Sequence, residues 1–316
     1  MKKLIFCTIC IIFLMGCNSE LPEDCDVKKY GLNGNVKSVR ESCYWAKKTA
    51  FGEYIKGSQT SIARMVDTYE RYFNKNGYIE NVISSYELDD NDTHYCTYYD
   101  ENNHIIKEEE KGINKSTKNQ EIFSETYYFY DVKGRLIQSV AGESLANYSY
   151  QDGTDLCIQE DFYYERELTQ RNIMKYDVNG FLTEKTVLYF KDGNSTLGSI
   201  EGFFYNEKGQ IIKATIFDYY ENFTEEEYYS YDESGRVIEV LCNDQYGQSL
   251  EKKRYDSNGN IVEEKYYRNG EYEQGYKYQY KLDGENNWIE KTILEDIDGD
   301  GAFVPDQIEV RQISYY

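Results

Sequence analysis

The 316-residue chain is expected to be all-β, an antiparallel meander of about ten short hairpin repeats that together form one twisted, coiled sheet. Three observations lead there. One phrase recurs along the chain: an aromatic residue, Asp or Asn, two variable residues, Gly, one variable residue and an aliphatic residue. Tyr contributes 35 residues and Phe 14, types that suit half-buried strands. Pro occurs only twice, and no segment beyond the N-terminus shows a convincing helical apolar period.

At the N-terminus, Lys2 and Lys3 precede a largely apolar run from Leu4 to Leu14. Eleven or twelve residues at a 1.5 Å rise cover only about 18 Å, against roughly 30 Å of hydrocarbon, so a removable signal over residues 1–16 fits better than a permanent span. Leu14-Met15-Gly16-Cys17 resembles the lipobox of bacterial lipoproteins. That resemblance implies cleavage before Cys17, a diacylglyceryl group on its thiol and acylation of the new N-terminus by a chain such as palmitate. It makes the chain an outer-membrane lipoprotein of a bacterial cell envelope, attached to the membrane through its N-terminus, with periplasmic and surface faces as alternatives. Residues 17–29, with Pro22, read as a polar tether, and residues 30–316 as the repeat domain.

Charge narrows the partners. The chain holds 35 basic and 57 acidic residues, and loss of the signal removes two lysines, leaving 33 against 57, or −24. Such a body repels phosphate backbones, so nucleic acid is excluded as a partner. Of eight cysteines, Cys7 and Cys10 leave with the signal and Cys17 is lipidated. Cys25, Cys43, Cys96, Cys157 and Cys242 remain, an odd number with no compact spacing and no C-x-x-C. They allow two bridges at most, Cys25–Cys43 being one possibility, and no redox or zinc motif.

The phrase is clearest at Phe73–Ile79, Tyr130–Leu136, Tyr176–Leu182, Tyr205–Ile211, Tyr231–Val237 and Tyr255–Ile261. Weaker copies begin at Tyr30, Tyr99, Tyr150 and Tyr280; Asn103 stands for Gly in the second, and Trp288 comes two positions late in the last. Asp or Asn can bond the amides ahead of it, while Gly77, Gly134, Gly180, Gly209, Gly235 and Gly259 take the left-handed conformation that closes a three-residue loop. Aromatic and aliphatic residues six apart then face each other, Tyr231 with Val237 for example. Successive copies from Phe73 start about 20 to 31 residues apart, room for two strands and two turns. The second turns vary, the polar stretch Lys111–Gln120 being the longest insertion. Consecutive aliphatics such as Leu136-Ile137 and Ile211-Ile212 imply that part of the sheet is covered on both faces.

Tyr-Asp-x-x-Gly-Arg-Leu/Val, at Tyr130–Leu136 and Tyr231–Val237, resembles the YD repeats of RHS proteins, and residues 30–316 resemble the RHS-repeat lipoproteins of bacteria. Gly31–Val39 looks like their opening phrase and Asn287–Lys291 like their closing one. The resemblance implies a coiled β-sheet; the chain is too short for the toxin-enclosing cage of the large RHS proteins.

Candidate chemistry is sparse. Asp296, Asp298, Asp300 and Gly301 resemble the start of a calcium loop, but position twelve is Gln307 where a bidentate acid belongs, so a hairpin turn is the plainer reading. His94 and His104 are the only histidines; pairing from Tyr99 and Ile105 puts His94 near Glu110 and His104 beside the turn, too far apart for one metal site. No phosphate loop, nucleophile elbow or zinc motif is present, and no cofactor or metal is implied. Tyr128, Tyr130, Tyr229 and Tyr231 serve either as cross-strand packing or as rings for stacking on a ligand. The expectation is a non-enzymatic, lipid-anchored scaffold that binds a protein or glycan. An immunity or toxin-associated factor and an envelope carbohydrate-active enzyme are the alternatives.

Overall fold

The computed structural model describes residues 21–22, 25–60, 68–85, 89–296 and 299–316. The signal, Cys17 and Asp298 lie outside them. A one-turn helix, α1 (Asp26–Lys29), is followed by β1 (Val36–Lys48), β2 (Tyr54–Thr60), β3 (Thr68–Phe73), β4 (Ile79–Ser85), β5 (Asn91–Tyr99), β6 (Ile105–Asn114) and β7 (Gln120–Tyr130). Then come β8 (Leu136–Ala141), β9 (Ser144–Tyr150), β10 (Cys157–Tyr164), β11 (Glu167–Tyr176), β12 (Leu182–Lys191), β13 (Asn194–Tyr205) and β14 (Ile211–Asp218). The chain ends with β15 (Phe223–Tyr231), β16 (Val237–Asp244), β17 (Gly247–Tyr255), β18 (Ile261–Arg268), β19 (Glu271–Leu282), β20 (Trp288–Asp296) and β21 (Val304–Tyr315).

The all-β expectation holds, but the open coiled sheet does not: the sheet closes into an antiparallel barrel. From β3 to β21 each strand pairs with the next, and β1 joins the two ends. Along one edge β1 pairs with β21 from Val36↔Tyr315 to Trp45↔Gln307. Along the other, Ser38–Ser42 pair with β3 and Cys43–Lys48 with β2. Among the described residues, 20 of the 21 strands, all but β2, make the ring. Spaced by about 4.8 Å and tilted by about 40°, they enclose a ring roughly 40 Å across if circular, wider than side chains fill. Closure removes the unpaired edges that an open sheet would expose.

At the phrase turns, one side-chain oxygen of the Asp or Asn accepts from two amides. In the Asp131 turn, Asp131 Oδ1 accepts from Lys133 and Arg135 at 2.8 and 3.0 Å. The six glycines have φ between 76° and 87°, and Asn103 takes the same position at 64°. Phe73↔Ile79, Tyr99↔Ile105, Tyr130↔Leu136, Tyr176↔Leu182, Tyr205↔Ile211, Tyr231↔Val237 and Tyr255↔Ile261 are partners. Beside each pair the register slips by one residue; Tyr130 faces Leu136 while Phe129 faces Gln138. This bulge explains the paired aliphatics and corrects the inference of two covered faces. The second residue of the pair sits at the slip, and Ile106, Ile137 and Ile212 remain about 40% exposed.

Three weak copies differ from their expected frames. Tyr30 follows α1 and forms no hairpin. Tyr150 pairs with Cys157 because its turn is one residue longer. The last copy begins at Leu282, which faces Trp288, and Asn286, at φ 63°, supplies the left-handed residue. Lys111–Gln120 is less a loop than expected, since β6 runs through to Asn114.

Contacts between copies explain the rest of the phrase. Each tyrosine hydroxyl donates to the carbonyl at the aliphatic position of the preceding hairpin. Tyr99 bonds Ile79, Tyr130 bonds Ile105, Tyr205 bonds Leu182, Tyr231 bonds Ile211 and Tyr255 bonds Val237, all at 2.6–2.9 Å. The residue after the glycine covers the next copy's ring: His104 on Tyr130 at 4.8 Å, Phe181 on Tyr205 at 4.9 Å, Arg236 on Tyr255 at 4.7 Å. Arg236 also bonds Asp232 and the carbonyl of Asp256. Replacing Tyr130 or Tyr231 by Phe is therefore expected to lower unfolding free energy by about 1 kcal/mol each, and additively in the double variant, as read by urea denaturation.

The described residues 21–22 and 25–32 depart from the polar-tether reading. Leu21, Cys25, Val27 and Leu32 are buried with Val36, Val39 and Phe73 in the main apolar cluster. The Val27 amide donates to the Gly77 carbonyl at 2.9 Å, and Asp26 accepts from the Ile79 amide at 2.8 Å. The opening and closing phrases meet beside this cluster. Asn287, 2% exposed, exchanges hydrogen bonds with the Asn33 backbone at 2.7 and 2.9 Å and donates to the Tyr315 hydroxyl.

Candidate binding surface

Partners across antiparallel strands share a face, so the phrase tyrosines mark one face of the wall all the way round. On it, charge and aromatic rings alternate. The register places Glu227 opposite Cys242, Tyr229 opposite Val240, Glu251 opposite Tyr266, and Glu264 opposite Tyr276, which in turn faces Glu295. Strands β15 to β20 thus carry a patch in which tyrosine hydroxyls donate to carboxylates. Tyr229 bonds Glu227 and Tyr278 bonds Glu264. Burial, then the nearby carboxylates, push the Tyr266 and Tyr278 hydroxyls well above the ordinary tyrosine range, so they stay protonated donors.

The four tyrosines singled out from sequence fall on this face. Tyr130 and Tyr231 spend their hydroxyls on the inter-hairpin carbonyls, and Tyr130 is covered by His104. Tyr128 bonds Glu108, at some distance along the wall from Tyr229 and Glu227. The residues that sequence reasoning missed are the carboxylates, which nothing separates by type from the chain's other acids.

Among the described residues, one donor set could hold a metal: Glu225, Glu227 and Cys242 place ligand atoms within 4.8 Å of one another. Burial and then Glu225 and Glu227 push the Cys242 thiol up to about 12, and burial raises the Glu225 carboxyl, so the thiol is protonated at neutral pH. All five described cysteines are free, and Cys25 and Cys43 are both buried and unbridged. The histidines stay apart. His94 faces Lys111, one residue off the expected Glu110 because of the bulge at Tyr99, and its ring bonds Asn81. His104 bonds Asp100 at 3.0 Å beside its turn. Asp296 is buried at the end of β20, and Asp300 caps the Ala302 amide.

An open depression of about 710 Å³ lies between the Gly77 turn and the Asn103 turn, lined by Asn74, Asn76, Asn81, Cys96, Tyr98 and Asn103 among others. Its Asp100 is committed to the amides of Asn102 and His104. The opposite face of the wall is charged as well, with Lys107 bridging Glu109 and Glu125 and Arg171 pairing with Asp161. A lipid-facing wall needs an apolar band about 25 Å tall, and each Lys or Arg at its middle costs about 2–4 kcal/mol. Both faces therefore carry charge, and the second also exposes Tyr98, Tyr127, Phe129 and Phe204. No helix among the described residues is long and apolar enough to cross a membrane.

No protein-family model matches the chain, and no curated protein is significantly similar to it. Among solved structures, the TcdB2-TccC3-Cdc42 crystal structure is similar over 90% of this chain and 16% of its own, with 10% identity and a TM-score of 0.40. That of TcdB2-TccC3 is similar over 89% and 19%, with 10% identity and a TM-score of 0.33. A porin-like protein from Bacteroides uniformis is similar over 89% of this chain and 98% of its own, with 9% identity and a TM-score of 0.33. The chain spans well under a fifth of the first of these.

Proposed function

We propose that the chain is a lipid-anchored, non-enzymatic binding scaffold of a bacterial cell envelope, held by Cys17 and presenting its tyrosine–carboxylate face to a protein or glycan. The observation that carries this reading is the patch over β15 to β20, where hydroxyl-bonded carboxylates alternate with tyrosine rings. Such a surface suits a partner rich in amines or sugar hydroxyls, through ion pairs, ring stacking and cation–π contact. Charge on both faces supports attachment through the N-terminus in preference to the wall. Cys17 is four residues from docked Leu21, a reach of at most about 14 Å, which holds the glycine-turn rim near the bilayer.

Two experiments test this. Radiolabelled palmitate is expected to enter the wild-type chain and be lost in Cys17→Ser; equal labelling of both would contradict the anchor. Pull-down from envelope extract with the full chain should recover one specific protein or glycan, and Glu227→Gln with Glu264→Gln should weaken its recovery on the order of tenfold, about 1.4 kcal/mol. Recovery of nothing specific, or turnover of the recovered ligand, would overturn the scaffold reading.

A further inference from the structure

The depression between the Gly77 and Asn103 turns lies where the repeat departs from its own pattern. Its floor, formed by Asn81, Cys96 and Tyr98, is on the face opposite the phrase tyrosines, and the first rung of the β4–β5 junction there is Asn81 facing Cys96. At the first rung of four other junctions between hairpins, two long side chains meet instead: Lys107 faces Tyr127, Lys213 faces Tyr228, Glu239 faces Lys252 and Glu263 faces Lys277. Two short side chains leave about 710 Å³ open, within the range of about 300–1,000 Å³ usual for small-ligand sites. The floor is held in place, since the Cys96 thiol donates to Asn81 Oδ1 at 3.6 Å and Asn81 Nδ2 lies 3.3 Å from His94 Nδ1.

The wall carries a second departure. Asn103 stands where the six clear copies use glycine, at φ 64°, and its side-chain oxygen accepts from Asn76 Nδ2 of the neighbouring hairpin at 2.9 Å. That bond uses one end of each amide, so the pair also carries an acceptor at Asn76 Oδ1 and a donor at Asn103 Nδ2. Tyr98 and Ile106, each 41% exposed, supply apolar surface in the same depression, and Lys107 Nζ steadies the Tyr98 ring at 5.4 Å from its centroid. Glu80, Asp100 and Glu101 outnumber Lys75 along its edge, which disfavours an anion.

We propose that this depression binds a short neutral glycan, with one pyranose ring lying on Tyr98 and its vicinal hydroxyls bonding the Asn76–Asn103 amide pair. A hydroxyl both donates and accepts, so two neighbours on a sugar ring match an acceptor and a donor, while the apolar C–H face of the ring packs on the aromatic side chain. The site is on the other face of the wall from the tyrosine–carboxylate patch and is independent of it.

Calorimetric titration of the full chain with cellotriose, laminaritriose and mannotriose tests this, together with the rate at which iodoacetamide alkylates Cys96 within the depression. The expected result is saturable one-to-one binding of at least one of the three sugars, which slows alkylation of Cys96 and leaves Cys157 and Cys242 unaffected. Asn103→Gly restores the phrase glycine, so the turn is kept while the amide is lost, and it should weaken binding about fivefold. Tyr98→Ala should weaken it about tenfold. No saturable binding of any of the three, equal alkylation of Cys96 with and without bound sugar, or undiminished binding by Asn103→Gly would overturn the proposal.

Discussion

Replacing Glu41 by Ala is expected to lower unfolding free energy by about 3–5 kcal/mol, because the remaining partners are buried charges. Glu41 lies on β1 with Arg311 beside it from β21 and Arg71 from β3, so one carboxylate ties both edges of the closing strand. Arg71 and Arg311 would be left to face each other, partly buried. Burial alone would raise the Glu41 carboxyl, but the Arg311 and Arg71 guanidiniums outweigh it, and the group titrates below its ordinary 4.5. A carboxyl lowered on folding stabilises the protein fully above its unfolded pKa and loses that contribution as pH falls through the folded one. Denaturation midpoints of wild type and Glu41→Ala should therefore differ most above pH 4.5 and converge in stronger acid. A constant difference down to pH 2 would contradict the seam assignment.

The second large effect is expected at Gly77. Its φ is +82°, and an added Cβ would lie 2.9 Å from Cys25 Sγ and 3.2 Å from Cys25 Cβ. Left-handed strain and the clash together should make Gly77→Ala about 2–3 kcal/mol less stable. The clash falls on the docked N-terminal segment, so the loss has a local signature. Cys25, with 0% exposure in the wild type, should become reactive toward a thiol reagent well before global unfolding. Gly142→Ala provides the contrast, since its φ is also positive but nothing lies within 4 Å of its added Cβ. It should cost only the strain and leave Cys25 protected.

The hairpins were legible because the information is local. Gly235 announces a left-handed residue, Asp232 a carboxylate for the turn amides, and the spacing alone pairs Tyr231 with Val237. Closure was not legible, because it depends on β1 and β21, strands separated by most of the chain and lacking a complete phrase. Twist and a bulge beside each glycine turn bend the sheet until those strands meet. The bulge itself was disguised: Leu136-Ile137 reads as a strand with two buried faces until Phe129↔Gln138 reveals the slip. In the last hairpin, Tyr280 drew the frame away from Leu282 because Asn286 replaces the expected glycine. The functional surface is harder still to read. Glu264 differs from other acids only in the Tyr278 that the next strand brings to it, and the two-residue spacing of Glu227 and Tyr229 recurs at Glu226 and Tyr228, on the opposite face. Asp296 stood out by motif, but its burial at the end of β20 is a property of packing alone.

Ring closure by β1 and β21 can be tested by oxidising the double variant Ser38→Cys, Ser314→Cys and mapping the cross-linked peptides by mass spectrometry. The two serines are register partners with hydroxyl oxygens 2.6 Å apart. The barrel requires an intramolecular 38–314 disulfide to form rapidly in dilute monomer. In an open sheet of twenty strands those positions would stand roughly 95 Å apart, so absence of the link, or its appearance only between molecules, would contradict closure.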